Sequence, residues 1–151
     1  MDKNIEYTVT IAPPSGSEVS AIQDLLRSCD LPWEDISEHF DHFLVAREGN
    51  RIVGAVGLEH AGLSGVIRSL AVAEELRGTG IGRELYGRIV DHAQHLGVTE
   101  LGLLTTTAEG FFAREGFQRC ARDQAPEYLR RTKEFQQYCP SSAVCMTKRI
   151  S

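Results

Sequence analysis

One hexapeptide constrains this chain more than any other segment. Arg77-Gly78-Thr79-Gly80-Ile81-Gly82 joins an apolar, strand-like run over 66–72 to an amphipathic, helix-like run over 81–96. A glycine-rich turn that opens a helix presents backbone N–H groups to an anion, and the helix dipole adds to the attraction, so the turn reads as a diphosphate cradle. Spacing excludes the two commonest glycine fingerprints. The dinucleotide pattern G-x-G-x-x-G needs a glycine where this chain has Arg83 or Leu85, and the phosphate-binding P-loop needs a Gly-Lys-Ser/Thr that is absent.

With 151 residues, 42% hydrophobic and 25% charged, the chain is long enough for one well-buried core and too short for two ordinary domains, so a single domain over 1–151 is expected. A net charge of -5 and a pI near 5.5 argue against a nucleic-acid partner, whose phosphates need a basic face. Arg130, Arg131 and Lys133 are balanced by Glu127 and Glu134 and read as a solvated helix face. No run approaches the length of a membrane span, and the polar start Met1-Asp2-Lys3-Asn4 lacks a signal-peptide core; a cytoplasmic protein without membrane contact is expected. Cys29, Cys120, Cys139 and Cys145 form no C-x-x-C pair, and no carboxylate or cysteine cluster accompanies His92 and His95, so no metal is expected.

Alternation over 5–11, ended by Pro13-Pro14, predicts a first strand. Ser17 is the expected N-cap of a helix whose stripe is Val19, Ile22, Leu26 and Cys29. Residues 31–40 suggest a short helix and loop across the top of a substrate cleft. A hairpin follows, 43–47 and 52–59 about the Gly49-Asn50 turn, and Ala61-Gly62 leads to the strand over 66–72. Ile81, Leu85, Ile89, Ala93 and Leu96 share one face of the next helix, which Gly97 stops. A buried strand over 101–104, a helix over 108–115 ended by Gly116, an extended run over 117–120, a last helix over 126–138 and a strand over 143–149 complete the order. Strands and helices alternating about a β-α-β crossover imply an α/β fold with a mixed sheet.

The pattern Arg/Gln-x-x-Gly-x-Gly/Ala, met by Arg77, Gly80 and Gly82, resembles the acetyl-CoA signature of the GNAT acetyltransferase superfamily. Ser69-Leu70-Ala71-Val72 stands where that family's strand hydrogen-bonds the pantetheine arm. Residues 105–117, TTTAEGFFAREGF, resemble its second motif, with Ala108, Phe111, Phe112, Gly116 and Phe117 fitting; packed core aromatics, Phe111 first, are the plainer account of the same stretch. The resemblance implies a GNAT-like mixed sheet flanked by helices. It also implies acetyl-CoA held by Leu70, Ala71, Val72, Arg77, Gly78, Thr79, Gly80, Ile81 and Gly82, and by Thr105, Ala108, Phe111 and Phe112. Two positions depart from the pattern. Thr105 stands where an asparagine commonly faces CoA, and Phe112 where a tyrosine commonly protonates the departing thiolate. More narrowly, Arg68-Ser69-Leu70-Ala71-Val72, LLTTTAEGFFAREGF and the tail over 139–146 resemble the small N-acetyltransferases of arsenic-resistance operons, which implies a detoxification context.

Acetyl transfer to an amine needs a proton acceptor, an oxyanion donor and a proton for the leaving thiolate. The backbone N–H of Leu70 is the expected oxyanion donor. Glu59, at the end of an apolar strand, is the first candidate for the base, weighed equally against an exposed strand-end glutamate, and a base of that kind gives an ascending limb at low pH. Arg68, a charge amid Val66, Ile67, Leu70 and Val72, needs an anionic partner, either a substrate carboxylate, arsonate or phosphinate, or an internal acid such as Glu59. Tyr86, Tyr128, Tyr138 and Cys145 compete for the role of the missing acid. The partner expected is a small-molecule amine; a homodimer is left open. Two other classes compete with the enzyme: a CoA-binding regulatory module and an arsenic binder using Cys139 and Cys145.

Overall fold

The computed structural model describes residues 9–151, so part of the strand expected over 5–11 lies outside the described residues. Its strands are β1 (Val9–Ala12), β2 (Phe43–Glu48), β3 (Arg51–Ala61), β4 (Ser64–Val72), β5 (Glu100–Thr105), β6 (Gln118–Cys120) and β7 (Val144–Arg149). Its helices are α1 (Val19–Ser28), α2 (Ile81–His95), α3 (Glu109–Arg114) and α4 (Glu127–Arg130). The strands form one seven-stranded mixed sheet in the order β1-β2-β3-β4-β5-β7-β6. β4 and β5 run parallel, Ser64 beside Glu100 through Val66 beside Gly102, and α2 is the crossover between them, which is the expected β-α-β unit. β5 goes on to Thr105 with β7 as its antiparallel partner.

By its contacts the chain divides into two compact units. The first comprises the described residues up to Gly57 together with Ser69–Ile89. Here α1 buries Ile22, Leu25 and Leu26. Its start differs from expectation: Ser15, not Ser17, opens a 3-10 turn over Gly16–Glu18, and its backbone N–H donates to the Glu18 carboxylate at 2.8 Å. A glutamate stands three residues after Ser15 and none does after Ser17, so only Ser15 has a box partner. Residues 31–40 form no α-helix; the stretch holds a 3-10 turn at Ile36–Glu38, with another at Phe40–His42. Buried Asp35 faces His39 at 3.5 Å there. In the hairpin, Gly57 lies under the Phe43 ring so closely that a Cβ would stand 2.5 Å from it.

The second unit comprises Leu58–Arg68 and Val90–Ser151. Its core holds Leu58, Leu101, Leu103, Leu129 and Met146. Gly97 takes φ 85 and ends the α2 segment as its position predicts. The helix expected over 126–138 is broken into α4 and a separate π-helical turn, Glu134–Tyr138. Thr132 explains the break. Its hydroxyl donates to Leu129 O at 2.8 Å and accepts from Phe135 N–H at 3.2 Å, so the side chain ends one turn and opens the next.

Candidate active site

The cradle residues lie in the first unit. β4 carries a left-handed residue, Ser69 at φ 62, immediately before Leu70, Ala71 and Val72. Such a conformation costs a non-glycine residue about 1–3 kcal/mol and marks a place where the backbone is re-aimed. After the strand, Leu76 is buried, whereas Arg77, Gly78, Thr79 and Gly80 are exposed. Gly78 and Gly80 take φ 84 and 96, which explains their identity. The first hydrogen bond joining α2 to this loop runs from Glu84 N–H to Gly80 O at 3.0 Å, so the N–H groups of Ile81 and Gly82 stand ahead of the helix ladder. A Cβ on Gly82 would make only an ordinary 3.5 Å contact with Val72 Cγ2. An open backbone with forward-pointing amides fits a diphosphate group. Arg77 braces the end of β4: its Nε–H donates to Val72 O at 3.2 Å and its Nη2 reaches Cys29 Sγ at 3.4 Å.

The polar cluster lies in the second unit. Arg68 is buried on β4, its side chain 2% exposed, with Nη1 donating to Glu59 Oε2 at 3.1 Å and Nε 3.6 Å from Glu134 Oε2. The internal ion pair raised as one alternative from the sequence is therefore present. Glu59 is half-buried and not the last residue of its strand, because β3 continues to Ala61. Sequence reasoning missed Glu134, which it assigned to a solvated helix face. Burial, first, and contact with Glu59, second, push its carboxyl up to about 8, while the charge of Arg68 opposes them. The only signal that could have found it is a glutamate in a segment whose Leu129, Thr132 and Phe135 spacing turns inward.

Thr105 is buried and its hydroxyl accepts from Ala108 N–H at 2.9 Å, so it opens α3. Phe112, not Phe111, is the core aromatic: it is 5% exposed and packs edge-on at 5.1 Å from Phe111 and 5.5 Å from Phe117. A helix of six residues repeats its stripe too few times for spacing to choose between neighbours. Among the candidate acids, Tyr128 donates to Glu100 Oε2 at 2.8 Å and burial pushes its phenol up, away from proton donation at neutral pH. Burial likewise raises the Cys145 thiol. Cys145 on β7 lies directly opposite Cys120 on β6 in the antiparallel register, so its cross-strand neighbour is Cys120.

Residues 10–121 match the model of the acetyltransferase (GNAT) family, and the chain belongs to that family. Acetyl-CoA is the family's co-substrate, and the expected class, an acetyl-CoA-dependent N-acetyltransferase, is the class its relatives carry. An uncharacterised N-acetyltransferase of Chlorobaculum tepidum is 33% identical over 113 residues, covering 74% of this chain and 70% of that protein. The amino-acid acetyltransferase of Neisseria meningitidis is 29% identical over 100 residues, 65% of this chain; the match spans only 23% of that longer protein. The N-acetylglutamate synthase of Neisseria gonorrhoeae, solved with coenzyme A and N-acetyl-glutamate, superposes with a TM-score of 0.82 at 23% identity, covering 97% of this chain and 36% of that one. That likeness establishes the fold. No described helix is long and apolar enough to cross a membrane.

Proposed function

We propose that the chain is an N-acetyltransferase that moves the acetyl group of acetyl-CoA to the amine of a small, anionic, amino-acid-like substrate. The observation that carries this reading is the exposed turn from Arg77 to Gly82, with its two left-handed glycines, at the β4–α2 junction of a family member. The names of the Neisseria relatives support an amino-acid acceptor. In this reading Gly78, Thr79, Gly80, Ile81 and Gly82 receive the diphosphate, Leu70, Ala71 and Val72 line the pantetheine arm, and Leu70 N–H stabilises the oxyanion. Thr105, Ala108, Phe111 and Phe112 complete the cofactor contacts by resemblance. Glu59 accepts the amine's proton and Arg68 orients the substrate's anionic group. An arsenic-detoxification context and a cytoplasmic location belong to the same proposal, the first supported by the operon resemblance alone.

The test is release of CoA thiol with a panel of amino acids, arsinothricin, phosphinothricin and polyamines. Turnover with an anionic amino acid is expected, and Glu59→Gln should lower it by roughly 10²–10⁴-fold while CoA affinity holds. Binding of CoA without turnover on any amine would leave the regulatory-module reading. For the thiol-based reading with Cys139 and Cys145, the structure adds Cys120, which lies directly opposite Cys145 across strands.

A further inference from the structure

The buried carboxylate of Glu134 has no part in the acetyl transfer as proposed, yet its neighbours give it one, and that role rests on the acetyl-transfer reading. Arg68 offers one positive charge to two carboxylates, Glu59 on one side and Glu134 on the other. Side-chain exposures of 2% for Arg68, 14% for Glu59 and 6% for Glu134 leave little water to stabilise a surplus charge. Two ionised carboxylates against one guanidinium would be net negative, whereas one retained proton makes the three groups neutral. Neither Glu134 oxygen takes a hydrogen bond from a described donor, as suits a carboxyl that donates its proton to Glu59. The position is built. Thr132 opens the turn that carries Glu134, and Arg122 holds the next residue, donating to Phe135 O at 3.2 Å with its guanidinium 4.4 Å over the Phe135 ring.

We infer that Glu134 is the positioning and proton-sharing partner of Glu59: the two carboxylates and Arg68 act as one unit, and Glu59 exchanges the proton with the substrate. Among the described residues, the charged groups set against Glu134 are Glu59 of β3 and Arg68 of β4. With the proton held up to about 8, this carboxyl lies nearer an amine in basicity than an ordinary carboxylate does, so taking a proton from the bound ammonium is less uphill. In the reaction the substrate nitrogen bonds to the thioester carbonyl carbon and the carbon–sulfur bond breaks. Of the two protons the ammonium gives up, one passes to the Glu59–Glu134 pair and on to solvent, and the other ends on the CoA sulfur.

Glu134→Gln tests this, because the amide keeps the shape and an N–H for Glu59 but exchanges no proton. The wild-type kcat/KM profile should rise with a midpoint near that of the Glu134 carboxyl. In Glu134→Gln the rising limb should move down by about two pH units or more, with the rate near the wild-type midpoint falling roughly tenfold or more, and Glu134→Asp should restore part of the shift. An infrared titration of the enzyme without substrate should show one carboxyl band lost through the same range, absent in Glu134→Gln. A limb in the ordinary carboxylate range, or one unmoved by Glu134→Gln, overturns the inference. If wild-type protein releases no CoA thiol with any amine, the acetyl-transfer reading fails, and the infrared titration still decides whether the proton is shared.

Discussion

Glu134→Gln also makes a thermodynamic prediction that requires no substrate. The carboxyl stands at 4.5 in an unfolded chain and at about 8 in the fold. Between those values the folded protein keeps a proton that the unfolded chain has released, so stability falls as pH rises through the window. Below 4.5 both states are protonated and the penalty is absent; above about 8 both have lost the proton and the penalty is complete. At about 1.4 kcal/mol per pH unit the total is on the order of 3–5 kcal/mol, and the 6% exposure of the side chain leaves little solvent to diminish it. Glutamine has no proton to lose. Urea unfolding of both proteins from about pH 5 to about pH 9 isolates the contribution of this buried cluster, because groups outside it cancel in the difference. The variant should gain on the wild type steadily with pH, by on the order of 3–5 kcal/mol across the range. A difference that stays flat, or one that favours the wild type as pH rises, refutes the reasoning.

Gly82→Ala should leave the fold as stable or slightly more so, since its Cβ meets only Val72 Cγ2 at 3.5 Å, yet weaken CoA binding about tenfold or more by crowding the diphosphate. Gly80→Ala, strained at φ 96, should also lower stability by about 1 kcal/mol; unchanged calorimetric affinity in Gly82→Ala removes the cradle. Arg47 grips both Glu18 oxygens, at 2.8 and 2.6 Å, and holds that carboxyl down to about 2. The stability this pair supplies is complete above 4.5 and disappears as pH falls toward about 2, so Glu18→Gln should cost about 1 kcal/mol at neutral pH and nothing in strong acid, read by unfolding curves. Cys120 and Cys145, opposed in register, should close to a disulfide by exchange with oxidised glutathione, slowly because burial raises both thiols. Peptide mapping that finds Cys139 linked in place of Cys120 would contradict the register argument.

What the sequence determined by itself is what local chemistry encodes. Gly97 announces a left-handed stop to α2, and the structure gives it φ 85; the glycine-rich run at 78–82 announces an open turn before that helix, and Gly78 and Gly80 prove left-handed there at φ 84 and 96. Ile81, Leu85, Ile89 and Ala93 announce the buried stripe of α2 and are buried, while Leu96, expected as its fifth member, lies past the end of the helix and is only partly buried. Strand and helix order announces a mixed sheet with a parallel crossover, which pairs Val66 with Gly102. Tertiary structure decided the rest. A Thr132 hydroxyl that serves two turns breaks a helix that periodicity alone would continue. Above all, the partners of Arg68 depend on where distant segments are carried: Glu59 comes from the neighbouring strand, and Glu134 from a turn far along the chain. The reach of a charged side chain is short and its energy depends on how much water the surroundings exclude, so a spacing in sequence could state that Arg68 needs an acid, while only the folded chain could state which, and how many.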